Sequence, residues 1–171
     1  LEALVQLADD GSRVLGELAW QAQVQAHGEL LSSTVGAAVL SATGVNTQWL
    51  DARDFLAAVA LPNQNERTRL LSAMVEARPD PTLPPRLAVL GEVFITQGFI
   101  ARESRDDGQP GRTVLLGRGG SDTSAAYFGA LLKALRVETW TDVAGMFTAN
   151  PRQVSGARLL QRLDYEEAQE I

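Results

Sequence analysis

The sequence predicts an α/β fold, with a largely parallel sheet covered on both faces. Stretches with helical spacing of apolar residues alternate along the chain with short runs apolar enough for sheet interiors. A glycine-rich turn joins one such run directly to a helix, the join typical of strand–helix units. With 171 residues, one domain is expected, long enough to bury roughly two thirds of its unfolded surface.

In chain order, Ser12 to Ala42 carries helical spacing, with Gly28 and Gly44 as punctuation. Val45 to Leu50 reads as a strand, and Asp51 to Ala58 as a turn with a short helix. Asn65 to Ala77 is a further helical stretch. Leu61-Pro62 and the Pro79 to Pro85 tract, with its prolines, mark loops. Val93 to Thr96 and Val114 to Leu116 read as interior strands, and Arg102 to Gly111 between them as a solvent loop or hairpin. Gly117 to Arg136 is turn plus helix, and Val137 to Asp142 another strand. The opening pattern of Leu1, Leu4, Val5 and Ala8 is already helix-like. The chain closes on a helix start capped at Asp164, so both ends are expected to be cuts.

Composition narrows the function. There is no cysteine, so a disulfide framework and a thiolate metal site are both excluded. A net charge of −6 argues against a general nucleic-acid or membrane-surface binder. No apolar run approaches the roughly 20 residues of a membrane span, and no signal peptide is visible, so a cytoplasmic protein is expected.

The turn itself is Leu116-Gly117-Arg118-Gly119-Gly120-Ser121-Asp122. Its glycines let the backbone take positive φ and approach a ligand closely. Ser121 and Asp122 read as N-cap and first turn of the helix that follows. A helix N-terminus offers free N–H groups and a positive dipole end to an anion, and Arg118 adds a planar cation for carboxylate or phosphate. A plain turn before a capped helix would look much the same.

Downstream lies Val137 to Arg152, including Phe147-Thr148-Ala149-Asn150-Pro151-Arg152. Upstream lie His27-Gly28-Glu29-Leu30-Leu31-Ser32 and Thr96-Gln97-Gly98-Phe99-Ile100-Ala101. Together, in this order, the four segments resemble the aspartate kinases of the amino-acid kinase superfamily, from about Arg13 to the last residue. The resemblance implies a three-layer αβα sandwich. It implies transfer of the γ-phosphoryl group of ATP to the side-chain carboxylate of L-aspartate, giving 4-phospho-L-aspartate. That reaction opens lysine, threonine and methionine biosynthesis.

The chemistry implied needs no general base, because a carboxylate of pKa ~3.9 is already ionised at neutral pH. Catalysis then consists of bringing anions together and stabilising spreading charge. By resemblance, Glu29 receives the substrate α-amino group and Arg118 grips a substrate carboxylate. Asp122 orients catalytic lysines near the phosphates, and Gly119, Gly120 and Ser121 line the shared turn. Thr141, Asp142, Phe147 and Arg152 fall on the nucleotide side. ATP and Mg²⁺ are implied by the reaction; Asp122 and the phosphates are the contacts open to the metal, and no ligand cluster marks a metal site. Residues from about 1 to 90 form a substrate-side portion and those from about 91 to 171 a nucleotide-side portion. The family is usually homo-oligomeric.

Read without the resemblance, several of these residues have plainer roles. Glu29 fits a solvated helix face, Asp142 a strand end and Arg152 a surface loop. His27 reads as a surface or packing residue, and Trp20, Trp49 and Trp140 as core or interface residues. Asp51, Arg53 and Asp54 read as a local salt-bridged turn.

Departures from the family pattern also count. The family's Lys-Phe-Gly-Gly-Thr-Ser loop, its Gly-Ala-Lys-Val-Leu-His-Pro motif and its ACT regulatory domains are not in this sequence. An incomplete domain that does not turn over by itself is therefore expected. Phe147 replaces a common tyrosine, Ala144 a proline or acidic residue, and Asn150 an aspartate. Acetylglutamate or glutamate kinases, and a non-catalytic domain of the same fold, are the competing readings.

Overall fold

The computed structural model describes residues 11, 15–76, 78–104, 111–142, 144–164 and 166–167. The chain divides into two compact units, Leu1–Val137 and Glu138–Ile171. The helix-like opening at residues 1–8 lies outside the described residues.

The first unit is organised around a long helix, α1 (Glu17–Ala42). Its buried positions are all small: Ala19, Ala22, Ala26, Ser33 and Ala37. Recurring three, four or seven residues apart, they share one face and let sheet backbone approach closely. Gly28 sits within this helix and does not interrupt it. There follow β1 (Thr47–Trp49), a 3-10 turn (Ala52–Asp54), β2 (Ala57–Ala58), α2 (Glu66–Leu71), α3 (Leu83–Leu90), β3 (Val93–Ile95), β4 (Ile100–Glu103), β5 (Thr113–Leu115) and α4 (Gly120–Leu132). Helix α1 packs against β1, β3, β5 and α2.

Strands β1 and β3 pair in parallel, Gln48 opposite Phe94. A second sheet runs β2-β4-β5. There β2 and β4 are parallel, whereas β4 and β5 are antiparallel with Ala101 opposite Val114. The expectation of a largely parallel sheet thus holds for two of three pairings. The third is the hairpin alternative read at Arg102 to Gly111, whose tip at 105–110 lies outside the described residues.

The β4–β5 pair is buried on both faces. Ile100 and Leu115 pack with Ala22, Ala26 and Ala52 on one side. Ala101, Val114 and Leu116 pack with Leu56, Leu70 and Val75 on the other. Alternation along a strand sends Val114 and Leu115 to opposite sides, so one short strand supplies both clusters. Val93, by contrast, is exposed and β3 lies in a two-stranded sheet, so its interior reading is corrected.

Other elements depart from expectation for local reasons. Helix α2 starts where predicted, with Asn65 Oδ1 accepting from Thr68 N at 2.8 Å. It stops at Leu71, because Ala73 N donates to Leu115 O and Val75 bridges to Ala58, drawing the chain into the sheet. The proline tract is not all loop: Leu83, Pro84 and Pro85 open α3. The first helical N–H groups have no intrahelical acceptor, so proline loses nothing there. Asp80 prepares that start by accepting from Thr82 N at 2.8 Å and Thr82 Oγ1 at 2.7 Å. The short helix expected within Asp51 to Ala58 is the 3-10 turn at Ala52–Asp54, and the segment then ends in β2.

Val137 to Asp142 forms no strand among the described residues. Its β-branched and aromatic composition expresses a propensity, but a strand exists only as one half of a ladder. Among the described residues no strand pairs with it, and Trp140 is 89% exposed, so the core reading of Trp140 fails.

The Asp51–Arg53 pair reaches further than a local turn. Arg53 contacts the carboxylate through Nε at 2.9 Å and Nη2 at 2.6 Å, and Nη1 donates to Thr113 Oγ1 on β5 at 2.9 Å. Burial pushes the Asp51 carboxyl up, but the hydrogen bonds and charge of Arg53 together hold it below its ordinary value of 3.8.

The second unit is small. Phe147 and Leu159 form an antiparallel bridge, flanked by Thr148 N to Arg158 O at 2.9 Å and Leu160 N to Met146 O at 2.8 Å. The cap at Asp164 is present as a capping box. Glu167 N donates to Asp164 Oδ1 at 2.9 Å, and Asp164 N to Glu167 Oε2 at 3.0 Å.

Candidate functional site

The glycine-rich turn leaves β5 at Leu116 and enters α4 at Gly120. Gly117 and Gly119 have φ of 77° and 72°, a region where a side chain is strained. Gly119 is the N-cap, with left-handed backbone, which corrects the reading of Ser121 as cap. Ser121 and Asp122 instead occupy the first turn, both exposed, and Gly120 is buried. The helix starts earlier because a glycine can make the left-handed entry that serine resists.

The segment Thr96 to Ala101 locks this turn from behind. A Cβ on Gly98 would meet Ser121 Cα at 2.9 Å, and one on Gly120 would meet the Phe99 ring at 2.7 Å. Two motifs distant in sequence therefore interlock through two glycines. Phe99 itself has φ of 67°. Its N–H donates to Ser124 Oγ at 2.9 Å, its carbonyl accepts from Leu116 N at 2.8 Å, and Ser124 Oγ donates to Gly120 O at 2.6 Å.

Gln97 is 2% exposed and acts as a structural tie. Its Oε1 accepts from Ala52 N at 2.8 Å, and its Nε2 donates to Ser33 Oγ at 2.8 Å and to Leu50 O at 3.2 Å. Ser33 Oγ also accepts from Trp49 Nε1 at 3.0 Å. The end of β1, the 3-10 turn and α1 are thereby held at one point.

In front of the turn lies a cleft of ≈ 430 Å³. Arg118, Gly117, Phe99 and Leu115 line it. Helix α2 and its end contribute Arg67, Thr68, Leu71 and Ser72; α1 contributes Gln21 and Gln25. Glu29 follows Gln25 by four residues, so it continues the same helical face one turn on, half-buried. Glu29 does not line the cleft, and neither do Asp122 or Ser121. Among the described residues the lining holds two guanidinium groups and no carboxylate, a surface suited to an anion.

Sequence reasoning found Arg118 and the turn but missed Gln21, Gln25, Arg67, Thr68 and Ser72. A polar i, i+4 pair leading to Glu29 was the available signal for the glutamines. Nothing local marked Arg67, because its place depends on how α2 packs.

In the second unit, Asp142, Phe147 and Arg152 line one pocket of ≈ 550 Å³ together with Gly145, Asn150 and Pro151. Thr141 Oγ1 donates to Asp142 Oδ1 at 3.1 Å beside it. Arg152 N donates to Asn150 Oδ1 at 3.0 Å. The oxygen an aspartate would offer is thus still supplied by asparagine, and the turn presenting Arg152 is kept. Among the described residues no three His, Cys, Asp or Glu side chains gather as a metal-ligand cluster.

A family model for the amino acid kinase family matches residues 5–171. The chain belongs to the amino acid kinase family. Among curated members of this family, it is 39% identical over 175 residues to bifunctional aspartokinase/homoserine dehydrogenase 2 of Escherichia coli (strain K12). That match takes in 100% of this chain and 19% of the relative. It is 36% identical over 150 residues to lysine-sensitive aspartokinase 3 of the same organism, covering 87% of this chain and 31% of the relative. The crystal structure of E. coli aspartokinase III in complex with aspartate and ADP superposes with a TM-score of 0.73 at 34% identity. It covers 93% of this amino acid kinase chain and 33% of that one. The chain therefore spans a third or less of the length of these relatives. Among the described residues, no helix is long and apolar enough to cross a membrane.

Proposed function

We propose that this chain is part of an aspartate kinase catalytic domain, transferring the γ-phosphoryl group of ATP to the side-chain carboxylate of L-aspartate. The observation that carries this reading is the cleft, lined among the described residues by no carboxylate, to which the Gly117–Gly120 turn brings Arg118. The similarity to aspartokinases along almost the whole chain supports it. A three-layer αβα sandwich is the architecture that goes with it.

In this reading Arg118 grips a substrate carboxylate with a forked pair of N–H donors. Glu29, further along the α1 face, takes the α-amino group. Gly119, Gly120 and Ser121 shape the turn against the reacting groups, and Asp122 orients cationic side chains near the phosphates. Thr141, Asp142, Phe147 and Arg152 serve the nucleotide, which brings Mg²⁺ with its phosphates. The acceptor carboxylate is ionised at neutral pH and attacks without a general base. What these residues supply is alignment and compensation of charge.

The test is chemical trapping. The intact protein of which this chain is part, incubated with ATP, Mg²⁺, L-aspartate and hydroxylamine, should give aspartyl hydroxamate, the signature of an acylphosphate. Hydroxamate from acetylglutamate or glutamate, with none from aspartate, would move the assignment to another kinase of the family.

A further inference from the structure

The arginines around α2 fall into two groups. Arg112 makes a two-pronged bond to buried Glu103, Nε to Oε2 at 2.8 Å and Nη2 to Oε1 at 3.0 Å. Arg69 stands 3.4 Å from the same carboxylate, and Glu66 lies 3.9 Å from both arginines. Arg67, between Glu66 and Arg69 in sequence, takes no part in this network. Among the described residues neither Arg67 nor Arg118 makes an ion pair, and both line the same cleft.

Arg67 also breaks a local rule. It is the second residue of α2, where the helix end is already positive and an acidic side chain is favoured. Glu66 obeys that rule and is used by its neighbours. Arg67 is exposed to solvent, and among the described residues the fold itself makes no use of its charge. In a chain of net charge −6, two guanidinium groups that make no ion pair among the described residues, in one cleft whose described lining holds no carboxylate, form a local positive site.

We propose that Arg67 is a second carboxylate-binding residue of this cleft and sets its preference for a dicarboxylic amino acid. The inference rests on the aspartate kinase reading and deepens it. Arg118 holds one carboxylate of the substrate; Arg67 holds one oxygen of the other, leaving its second oxygen free to attack phosphorus. Gln21, Gln25, Thr68 and Ser72 supply neutral polar contacts around the pair. A nucleotide phosphate is the other oxyanion an arginine could take, and the experiment separates the two.

The experiment compares the intact protein of which this chain is part, the parent, with its Arg67→Gln and Arg67→Lys variants. Arg67→Gln should raise the aspartate KM about tenfold or more, the loss of a charge-assisted contact. The ATP KM should stay within about twofold, and Arg67→Lys should recover part of the loss. Inhibition by succinate should weaken in parallel, whereas inhibition by L-alanine, which lacks the second carboxylate, should not change. An aspartate KM within about twofold of the parent's, or equal rises for aspartate and ATP, would overturn the role given to Arg67. A parent that phosphorylates no aspartate would overturn the functional reading instead. Succinate binding to parent and variant would then still decide whether the two arginines act together.

Discussion

The backbone N–H of Phe99 donates to Ser124 Oγ at 2.9 Å, joining the turn before β4 to the first turns of α4. Ser124 is 2% exposed, so water cannot replace it. The positive φ of Phe99 is held on one side by this bond and on the other by its carbonyl on Leu116 N.

Ser124→Ala should therefore leave a buried N–H without an acceptor, at a cost of about 1–3 kcal/mol. Denaturant unfolding would measure it as a lower midpoint at unchanged slope. An unaltered midpoint would mean that the Phe99 amide finds another acceptor.

Gly98→Ala tests the interlock directly. The added Cβ would come within 2.9 Å of Ser121 Cα, so backbone must shift, typically for about 1–3 kcal/mol. The shift would move the turn carrying Arg118, so aspartate KM should rise along with the loss of stability. A variant destabilised but kinetically normal would separate the clamp from the cleft.

Arg118→Lys exchanges a planar fork for a point charge. The expected loss is on the order of 1.5–3 kcal/mol in aspartate use, with ATP use little changed. Steady-state kinetics varied in each substrate would show the split. Equal damage to both would place Arg118 on the phosphates or in the scaffold.

Asp51 gives a pH prediction. Its carboxyl titrates below 3.8 in the folded chain, held there by Arg53 against the opposing effect of burial. The folded form therefore binds this proton less readily than the unfolded form. The stability it contributes is present above the ordinary carboxylate value and is lost as pH falls through the lowered one. Asp51→Asn should remove about 1 kcal/mol at neutral pH and flatten the acid limb of a stability–pH curve. Parallel curves for parent and variant below pH 4 would contradict this account.

Local chemistry was the legible part of the sequence. Asp164 announced its helix because a cap needs only one side-chain oxygen and a neighbouring N–H. The Gly117–Gly120 turn was readable because positive φ selects glycine, though which residue caps α4 was misjudged between Gly119 and Ser121. Roles made by packing were illegible. Gln97 looks like any polar residue until Ala52, Leu50 and Ser33 arrive around it, and Arg67 looks like any surface arginine until Glu66 and Glu103 are claimed by others. Val137 to Asp142 shows the reverse error, a strand composition with no ladder beside it.

The hydroxyl of Ser33 gives its proton to Leu30 O at 3.1 Å and accepts from both Trp49 and Gln97. One donor and two lone pairs is the whole capacity of a hydroxyl. That oxygen is saturated, shared by α1, by β1 through Trp49, and by Gln97, whose other end holds the 3-10 turn at Ala52 N. Breathing of β1, of the 3-10 turn and of the middle of α1 is therefore not three independent events. The Ala52 amide, bonded to Gln97, should exchange its hydrogen only in openings that also loosen the Trp49 indole. A fluctuation starting at the end of β1 thus reaches the helix that carries Gln21 and Gln25, so this side of the cleft loosens together with β1.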